Sequence, residues 1–595
     1  MRREPLLPLA QVANARAHGD DISLIEAKQR AKRNRQLARK ERVKAENRLL
    51  VLALCFVIGF GAVAVKMGMV ATSGVDDDQV ITQATKIVNN RADIIDRSGN
   101  ILATNFPTRA LYAQPPLMID PERAAKEIVK IFPDLDPKRI TKDFIGGKRK
   151  FIWVKKSISP EQAQRVHDLG EPGLLFANRE MRIFPNGKLA AHILGGTRFG
   201  EEGTRAAEVV GVAGVEAYFD DYLRNPAHEG APLQLSIDLS AQAVLEDVLE
   251  DGMIFMNSKG ASAIMMDVHS GEIMAMASLP DFDPNKRPRP LTQGDRGDDP
   301  LFNRAVQGLY ELGSTFKIFA VGSALEKGLV TRASEVNTTT PMKVGKFKIE
   351  DFHDNGPSLT VEDVIMKSSN TGTARLAVQA GTTAQRRILK DLGFFEPTEI
   401  ELVEGPTAKP QRPDPWREIN TITISYGHGL SASPLHLATA YAMIANGGRK
   451  VVPTLRRLDI TESLGDRVMS ETVAQELVRM LRRVVGDEEG TATMAEVAGY
   501  DVAGKTGTAE KAVRGGYKED AVISTFASIF PASDPRYVLV VSLDEPKIQA
   551  LGKERRTAGW TAAPVAGEII TRVAPILGLR PIARDGKTEY IQTSN

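Results

Sequence analysis

Ser314 and Lys317 stand three positions apart in the run Tyr310-Glu311-Leu312-Gly313-Ser314-Thr315-Phe316-Lys317, directly ahead of the apolar residues Ile318, Phe319, Ala320 and Val321. If that run is helical, one turn separates the two side chains and both leave the same face. A serine hydroxyl is a poor nucleophile at neutral pH and needs a base within hydrogen-bonding reach. A lysine can be that base only when burial or a neighbouring cation keeps its amine neutral. Ser314 and Lys317 are therefore a candidate nucleophile and base. S-x-x-K alone is a weak signal, because a surface turn opening a helix carries the same letters. Two further motifs strengthen it: Ser368-Ser369-Asn370 inside Met366 to Gly372, and Lys505-Thr506-Gly507-Thr508 inside Val502 to Ala509. S-x-x-K and K-T-G each occur once in the chain, and the three motifs run in that order.

The elements that must position these residues can be read around them. Pro232 to Asp238 begins a new domain, and Ser240 to Asp251 predicts a helix. Ala261 to Asp267, the turn His269-Ser270-Gly271 and Glu272 to Ser278 predict a strand, a turn and a strand. Leu279 to Leu301 reads as a loop leading into the Ser314 helix. Helical segments then dominate to Tyr500, notably Pro434 to Ala445 and Glu471 to Val485, and strands return at Ser524 to Phe530 and Tyr537 to Leu543 before a closing helix at Ala562 to Ile576. Two blocks of strands around a helical block suggest one antiparallel sheet covered by helices, an α+β arrangement. Upstream, Asp93 to Ala103 is a hairpin candidate with Arg-Ser-Gly-Asn as its turn, and Pro121 to Phe132 and Pro160 to Leu169 read as short amphipathic helices. Arg179 to Pro185 and Gly211 to Glu216 read as packing or turn segments.

At 595 residues, length alone suggests two to four domains. The net charge of +2 hides an asymmetry: residues 1–48 carry 13 Lys or Arg against 6 Asp or Glu, so that tail is +7 and the remainder 2 − 7 = −5. A mildly acidic body argues against nucleic acid as substrate. The single cysteine, Cys55, excludes a disulfide framework, a cysteine nucleophile in the body and a cysteine-based metal site, and the 8 histidines show no ligand spacing. Neither a metal nor a cofactor is expected. From Leu49 the chain turns apolar, continuing past Lys66 to Ala71, and a helix of about twenty residues spans a bilayer. The run is longer than the core of a cleaved signal peptide and follows a tail too long for one. One uncleaved transmembrane helix is therefore expected, with the basic N-terminus cytoplasmic and everything beyond it outside, which in a Gram-negative cell is the periplasm.

On these motifs the chain resembles a class B monofunctional penicillin-binding protein, a peptidoglycan D,D-transpeptidase. The basic tail and the run Lys505 to Lys511 resemble the division-specific members more than the elongation ones. The resemblance implies a basic cytoplasmic tail at 1–48, a transmembrane helix at 49–71, an elongated pedestal of dimerisation type at 72–230, a transpeptidase domain at 231–580 and a C-terminal tail at 581–595. It implies Ser314 as acyl-forming nucleophile, Lys317 as base and Ser368 as proton relay to the departing D-alanine. Asn370 would hold the donor peptide, Lys505 would keep the site positive and help hold Lys317 neutral, and Thr506 and Thr508 would bind the terminal carboxylate. The amides of Ser314 and Thr508 would form the oxyanion hole, and Gly507 would end a strand so that substrate backbone can approach. Ser425-Tyr426-Gly427-His428-Gly429-Leu430 followed by Ser433-Pro434-Leu435 resembles the family's glycine-rich segment. One departure is Leu312, where the family often has proline. The implied partners are stem peptides as donor and acceptor, β-lactams, the inner membrane, a polytopic glycan polymerase of the division machinery (FtsW type) and small bitopic divisome proteins. Glu350-Asp351-Phe352-His353 is read as a loop, and no polymerase activity is expected. The alternatives are an elongation-type transpeptidase, a β-lactamase or β-lactam sensor, and a silent division scaffold.

Overall fold

The computed structural model describes residues 91–582 apart from 147–148, 201–208, 460–464 and 514–515, together with 53–67 and scattered residues between 14 and 51. The chain divides into two compact units, Met1–Val88 and Asn89–Asn595. In the first, residues 53–67 are helical, with Leu54, Phe56, Val57, Ile58 and Phe60 exposed. Among the described residues no helix is both long and apolar enough to cross a membrane. The ends of the expected span, residues 49–50 and 68–71, lie outside the described residues, as do much of the basic tail and residues 583–595.

The second unit opens with the expected hairpin. Strand β1 (Ile94–Ile95) pairs antiparallel with the start of β2 (Ile101–Ala113). The turn is held by Asp96, whose carboxylate accepts from the amides of Ser98 at 2.8 Å and Asn100 at 2.7 Å. The far half of β2 lies between β3 (Ile152–Ile158) and β4 (Leu174–Ile183), antiparallel to both. Three short helices, Pro121–Ile131, Pro137–Ile145 and Pro160–His167, pack on this end. Each begins with a proline after a side-chain cap: Asp120, Asp136 and Ser159. Proline costs nothing at a first turn whose N–H would be unpaired anyway. Their apolar faces, with Leu111 and Val154, make a separate small core around Ile128, Phe132, Phe144 and Val166.

The two stretches read as packing are packing. Glu216 is fully buried, and its carboxylate accepts from Arg91 at 2.7 Å and from Arg182 at 2.6 Å. Parallel pairing of β5 (Leu233–Gln234) with β1 then leads into the C-terminal half.

There the sheet is five-stranded and antiparallel, in the order β8-β9-β10-β6-β7: β6 is Gly260–Asp267, β7 Ile273–Leu279, β8 Ala503–Val513, β9 Gly516–Phe530 and β10 Tyr537–Asp544. Every residue of β7 and β10 is buried, so both faces of the sheet are covered. Helices α1 (Leu239–Phe255) and α6 (Ala562–Ile576) pack together against it, where Gly252 meets Val565. Helices α4 (Pro434–Ala445) and α5 (Glu471–Gly486) also pack together and on the sheet, enclosing α2 (Lys317–Glu326) with α3 (Asn370–Ala380). The antiparallel sheet and helices match the expectation. The block between is less uniformly helical than expected: Glu335–Asn337 pairs with Ser358–Thr360 and Met342–Val344 with Phe347–Ile349. These strands are three residues each, too short to show an alternation in sequence.

Candidate active site

Among the described strands β8 is the edge of the sheet, hydrogen-bonded to β9 alone. Alternation places Lys505 and Gly507 on one of its faces and Thr506 and Thr508 on the other. The strand does not end at Gly507, as the resemblance implies, but runs on to Val513. What Gly507 permits is the seating of the serine's own turn. A Cβ there would fall 2.3 Å from the Leu312 carbonyl oxygen and 2.8 Å from the Thr315 methyl.

That turn is a 3-10 segment, Gly313–Phe316, which passes into α2 at Lys317. Ser314 is half-buried and lies one turn before Lys317, as the spacing predicts. Gly313 takes a left-handed φ of +56° against the backbone of Thr508, where a Cβ would come within 2.8 Å of the carbonyl oxygen. Thr315 is fixed beneath: its hydroxyl donates to Leu312 at 2.8 Å, and its carbonyl accepts from the Tyr441 hydroxyl at 2.9 Å.

Lys317 is buried, at 1% exposure, with its Nζ 3.0 Å from the Ser368 hydroxyl oxygen and also bonded to the Ser368 carbonyl. Lys505, at 0%, places its Nζ 3.0 Å from the same hydroxyl and 3.2 Å from the Thr506 carbonyl. One hydroxyl thus bridges two buried amines. Burial first, and then the charge of Lys505, push the Lys317 amine well below the ordinary lysine range, while Asp351 opposes them. Burial pushes Lys505 down to about 7. The depression of the Lys317 amine is in the direction it needs to act as base. Ser368 is held in the left-handed region at φ +59°, unusual for a serine, so its hydroxyl position is imposed by the surrounding structure.

Asp351 does much of the imposing. Its Oδ1 accepts from the amides of Asn370 at 2.6 Å and Thr371 at 2.8 Å. Its Oδ2 accepts from the hydroxyls of Ser369 at 2.6 Å and Thr371 at 3.1 Å. The carboxylate thus sits on the first amides of α3, where it satisfies unpaired donors and faces the positive end of the helix dipole. Burial pushes its carboxyl up, and the hydrogen bonds outweigh that to hold it below the usual range. The loop reading of Glu350 to His353 is correct, but the weight carried by Asp351 was not legible.

The remaining predicted residues occupy the same region. Asn370 donates from its side chain to the Glu350 carbonyl at 2.9 Å. The Thr506 hydroxyl lies 2.9 Å from that of Thr491, and the Thr508 hydroxyl accepts from the amide of Ala558 at 3.0 Å. Glu311, ahead of the serine, accepts from the Gly429 amide at 2.8 Å and lies 3.0 Å from His428 Nδ1. Among the described residues no group of His, Cys, Asp and Glu could hold a metal ion.

The Ser314 turn is thus seated on an edge strand, with two lysines on one hydroxyl beside it. The penicillin-binding protein transpeptidase domain matches residues 261–571, and the penicillin-binding protein dimerisation domain matches residues 86–228. The chain belongs to the class B penicillin-binding proteins. It is 38% identical over 515 residues to the probable peptidoglycan D,D-transpeptidase FtsI of Caulobacter vibrioides, covering 85% of this chain and 83% of that one. Against the peptidoglycan D,D-transpeptidase FtsI of Escherichia coli K12 it is 28% identical over 576 residues, 91% of this chain and 93% of that one. Penicillin-binding protein 3 from Mycobacterium tuberculosis, complexed with aztreonam, superposes with a TM-score of 0.63 at 25% identity, covering 83% of this chain and 97% of that structure.

In this penicillin-binding protein the glycine-rich segment has a mechanical role. The Gly313 amide donates to the Gly427 carbonyl at 3.2 Å, and a Cβ on Gly427, at φ +89°, would fall 1.9 Å from the Gly313 oxygen. Gly427→Ala must therefore push back the turn that carries Ser314. Acylation by a penicillin is expected to slow by about tenfold or more, given about 1–2 kcal/mol for the left-handed backbone alone before the clash is counted. Stopped-flow rates on the folded variant check this, and wild-type rates would show that the segment does not set the serine.

Proposed function

We propose that this chain cross-links peptidoglycan stem peptides at the division septum, forming an acyl-serine intermediate, releasing D-alanine and serving as a β-lactam target. The observation that carries the reading is the Ser368 hydroxyl held 3.0 Å from both Lys317 and Lys505, beside the serine turn on the edge strand.

The chemistry follows from that geometry. An extended donor peptide adds along the open edge of β8. Neutral Lys317 takes the Ser314 proton as Oγ attacks the carbonyl of the penultimate D-alanine. The tetrahedral oxyanion is received by the amides of Ser314 and Thr508, which the Gly313–Thr508 contact makes neighbours; such a donor is worth about 3–4 kcal/mol in comparable acyl transfers. The proton passes from Lys317 through the Ser368 hydroxyl to the departing nitrogen, and D-alanine leaves. Asn370 holds the donor amide, Thr506 and Thr508 hold the terminal carboxylate, and Lys505 keeps the site positive. An acceptor amine then takes the acyl group from Ser314.

The same reading places the catalytic half in the periplasm on a single inner-membrane helix within 49–71, N-terminus inside. It would work there beside a polytopic glycan polymerase and small bitopic division proteins. The exposed apolar side chains of the helix at 53–67 and the basic excess before it support that orientation.

Fluorescent penicillin is expected to label the full-length protein covalently, to persist over hours, and to map to the peptide bearing Ser314. Rapid loss of label would identify a β-lactamase, and a folded protein that never labels would identify a scaffold. Depletion is expected to give filaments with unconstricted septa; rounded cells would assign the enzyme to elongation.

A further inference from the structure

We propose that His428, oriented by Glu311, is the base that removes the proton from the acceptor ammonium before it attacks the acyl-serine. This rests on the acyl-serine reading above and assigns the receiving half of the reaction.

An acceptor amine reaches the site mainly as an ammonium, which has no lone pair with which to attack. The Lys317–Ser368 path can take up only the proton released when a neutral amine adds, the reverse of the one it delivers to D-alanine. A second base is needed, on the side from which the acceptor arrives.

The structure has one in place. Glu311 is three residues before Ser314 and only 9% exposed. Its carboxylate accepts from the Gly429 amide at 2.8 Å and the Tyr517 hydroxyl at 3.2 Å, and lies 3.0 Å from His428 Nδ1. A carboxylate oxygen accepts from a ring N–H, which assigns the hydrogen to Nδ1 and turns Nε2 away from Glu311. Among the described residues no hydrogen bond to Nε2 is present, and the His428 side chain is 32% exposed. The ring is tied to the nucleophile through the neighbouring residue, since the Gly427 carbonyl bonds the amide of Gly313.

Register along β8 gives the direction. Lys505, at the Ser368 end, pairs with Ala527; Thr508, against Gly313, pairs with Ser524; and Ala512, further on, pairs with Tyr517, whose hydroxyl reaches Glu311. The Ser314 turn therefore lies between the two-lysine cluster and the Glu311–His428–Tyr517 cluster. Other groups facing His428 are the rings of Tyr426 at 5.6 Å and Tyr517 at 6.2 Å. Burial and then the Glu311 charge push the Tyr517 hydroxyl up to about 12, so it stays a neutral donor. Among the described residues Glu311 is the one carboxylate bonded within this cluster, and a carboxylate there favours an approaching ammonium.

The protons balance. His428 Nε2 takes one from the ammonium and releases it to solvent. The amine lone pair forms the C–N bond, and its second proton passes to neutral Lys317. Lys317 returns that proton to Ser314 Oγ as the C–Oγ bond breaks.

The test uses full-length protein in detergent, an acyl-D-alanyl thioester as donor, and either D-alanine or hydroxylamine as acceptor, with transfer and hydrolysis products measured by mass spectrometry. Hydroxylamine is already neutral at neutral pH and needs no base. In His428→Gln the ratio of transfer to hydrolysis with D-alanine is expected to fall by about tenfold or more, the low end for losing a general base. Transfer to hydroxylamine should persist, and the rate of penicillin acylation should fall by less than about threefold. In Glu311→Gln, which leaves the ring without its orienting carboxylate, the D-alanine ratio should fall as well while transfer to hydroxylamine persists. An unchanged D-alanine ratio in His428→Gln would overturn the proposal, as would equal losses with both acceptors. Wild-type protein that penicillin does not label would overturn the acyl-serine reading and this inference with it.

Discussion

Lys317→Ala is expected to slow acylation of Ser314 by penicillin by about a thousandfold, within the range of about 10²–10⁴ that a positioned base supplies. The deletion leaves Ser314 with no base one turn away. Lys505 is on the edge strand and reaches the site through the Ser368 hydroxyl, not from the turn that carries Ser314. Lys317→Arg distinguishes a base from a fixed charge. A guanidinium stays protonated in proteins, so it restores a cation without restoring a base, and the Arg variant should be as slow as the Ala variant. An Arg variant that keeps more than about a tenth of the wild-type rate would mean that Lys317 acts through its charge. Thermal unfolding of both variants is the control, since Lys317 is fully buried and its loss leaves a cavity.

The pH profile follows from the same two amines. Lys317 is inactive as an ammonium and active as an amine, so the rate rises with pH through its depressed pKa and is established well below the range of an ordinary lysine. Lys505 loses its charge at about 7, and with it both its pull on Lys317 and the positive potential it lends the site. The rate should therefore fall again on the alkaline side, giving a bell whose limbs belong to the coupled pair. A profile flat from pH 6 to 9, to within about twofold, would contradict the assignment of Lys505.

The chemistry of this site was legible in sequence where it sits in short contiguous motifs. Ser314 and Lys317 share one turn, Ser368 and Asn370 flank the start of α3, and Lys505 to Thr508 form one stretch of edge strand. Amphipathic or wholly apolar runs gave α1, α4, α5 and α6, and the doubly buried β6 and β7 were legible for the same reason. What escaped is long-range. Asp351 lies 17 residues before Ser368 in a loop, and nothing in Glu350-Asp351-Phe352-His353 shows that α3 folds back onto it. Glu311 and His428 are separated by 117 positions and meet only because Gly427 packs on Gly313. The contact Gly507 makes within the fold escaped for the same reason: its neighbour is the Leu312 carbonyl, which the sequence does not put beside it.

Asp351 is also where the second large effect is expected. Asp351→Ala removes a carboxylate that accepts from two backbone amides and two hydroxyls at the head of α3. It should lower unfolding stability by about 2–3 kcal/mol, as for losing charged hydrogen bonds and a helix cap together. Penicillin acylation should fall by about a hundredfold, because Ser368, at a left-handed φ, directly precedes the residues Asp351 anchors and is free to relax away from Lys317 once they are released. Asp351→Asn separates position from charge. Its amide oxygen can still accept from Asn370 and Thr371, so the stability loss should shrink to about 1 kcal/mol. The carboxylate that raises the pKa of Lys317 against burial and Lys505 is nonetheless gone. Lys317 then titrates lower, and the acid limb of the acylation profile moves to lower pH although no group that touches substrate has changed. If Asp351 only braces α3, the two variants should differ in stability while their acid limbs coincide with that of the wild type. A limb displaced in Asp351→Asn ties the loop to the nucleophile's base.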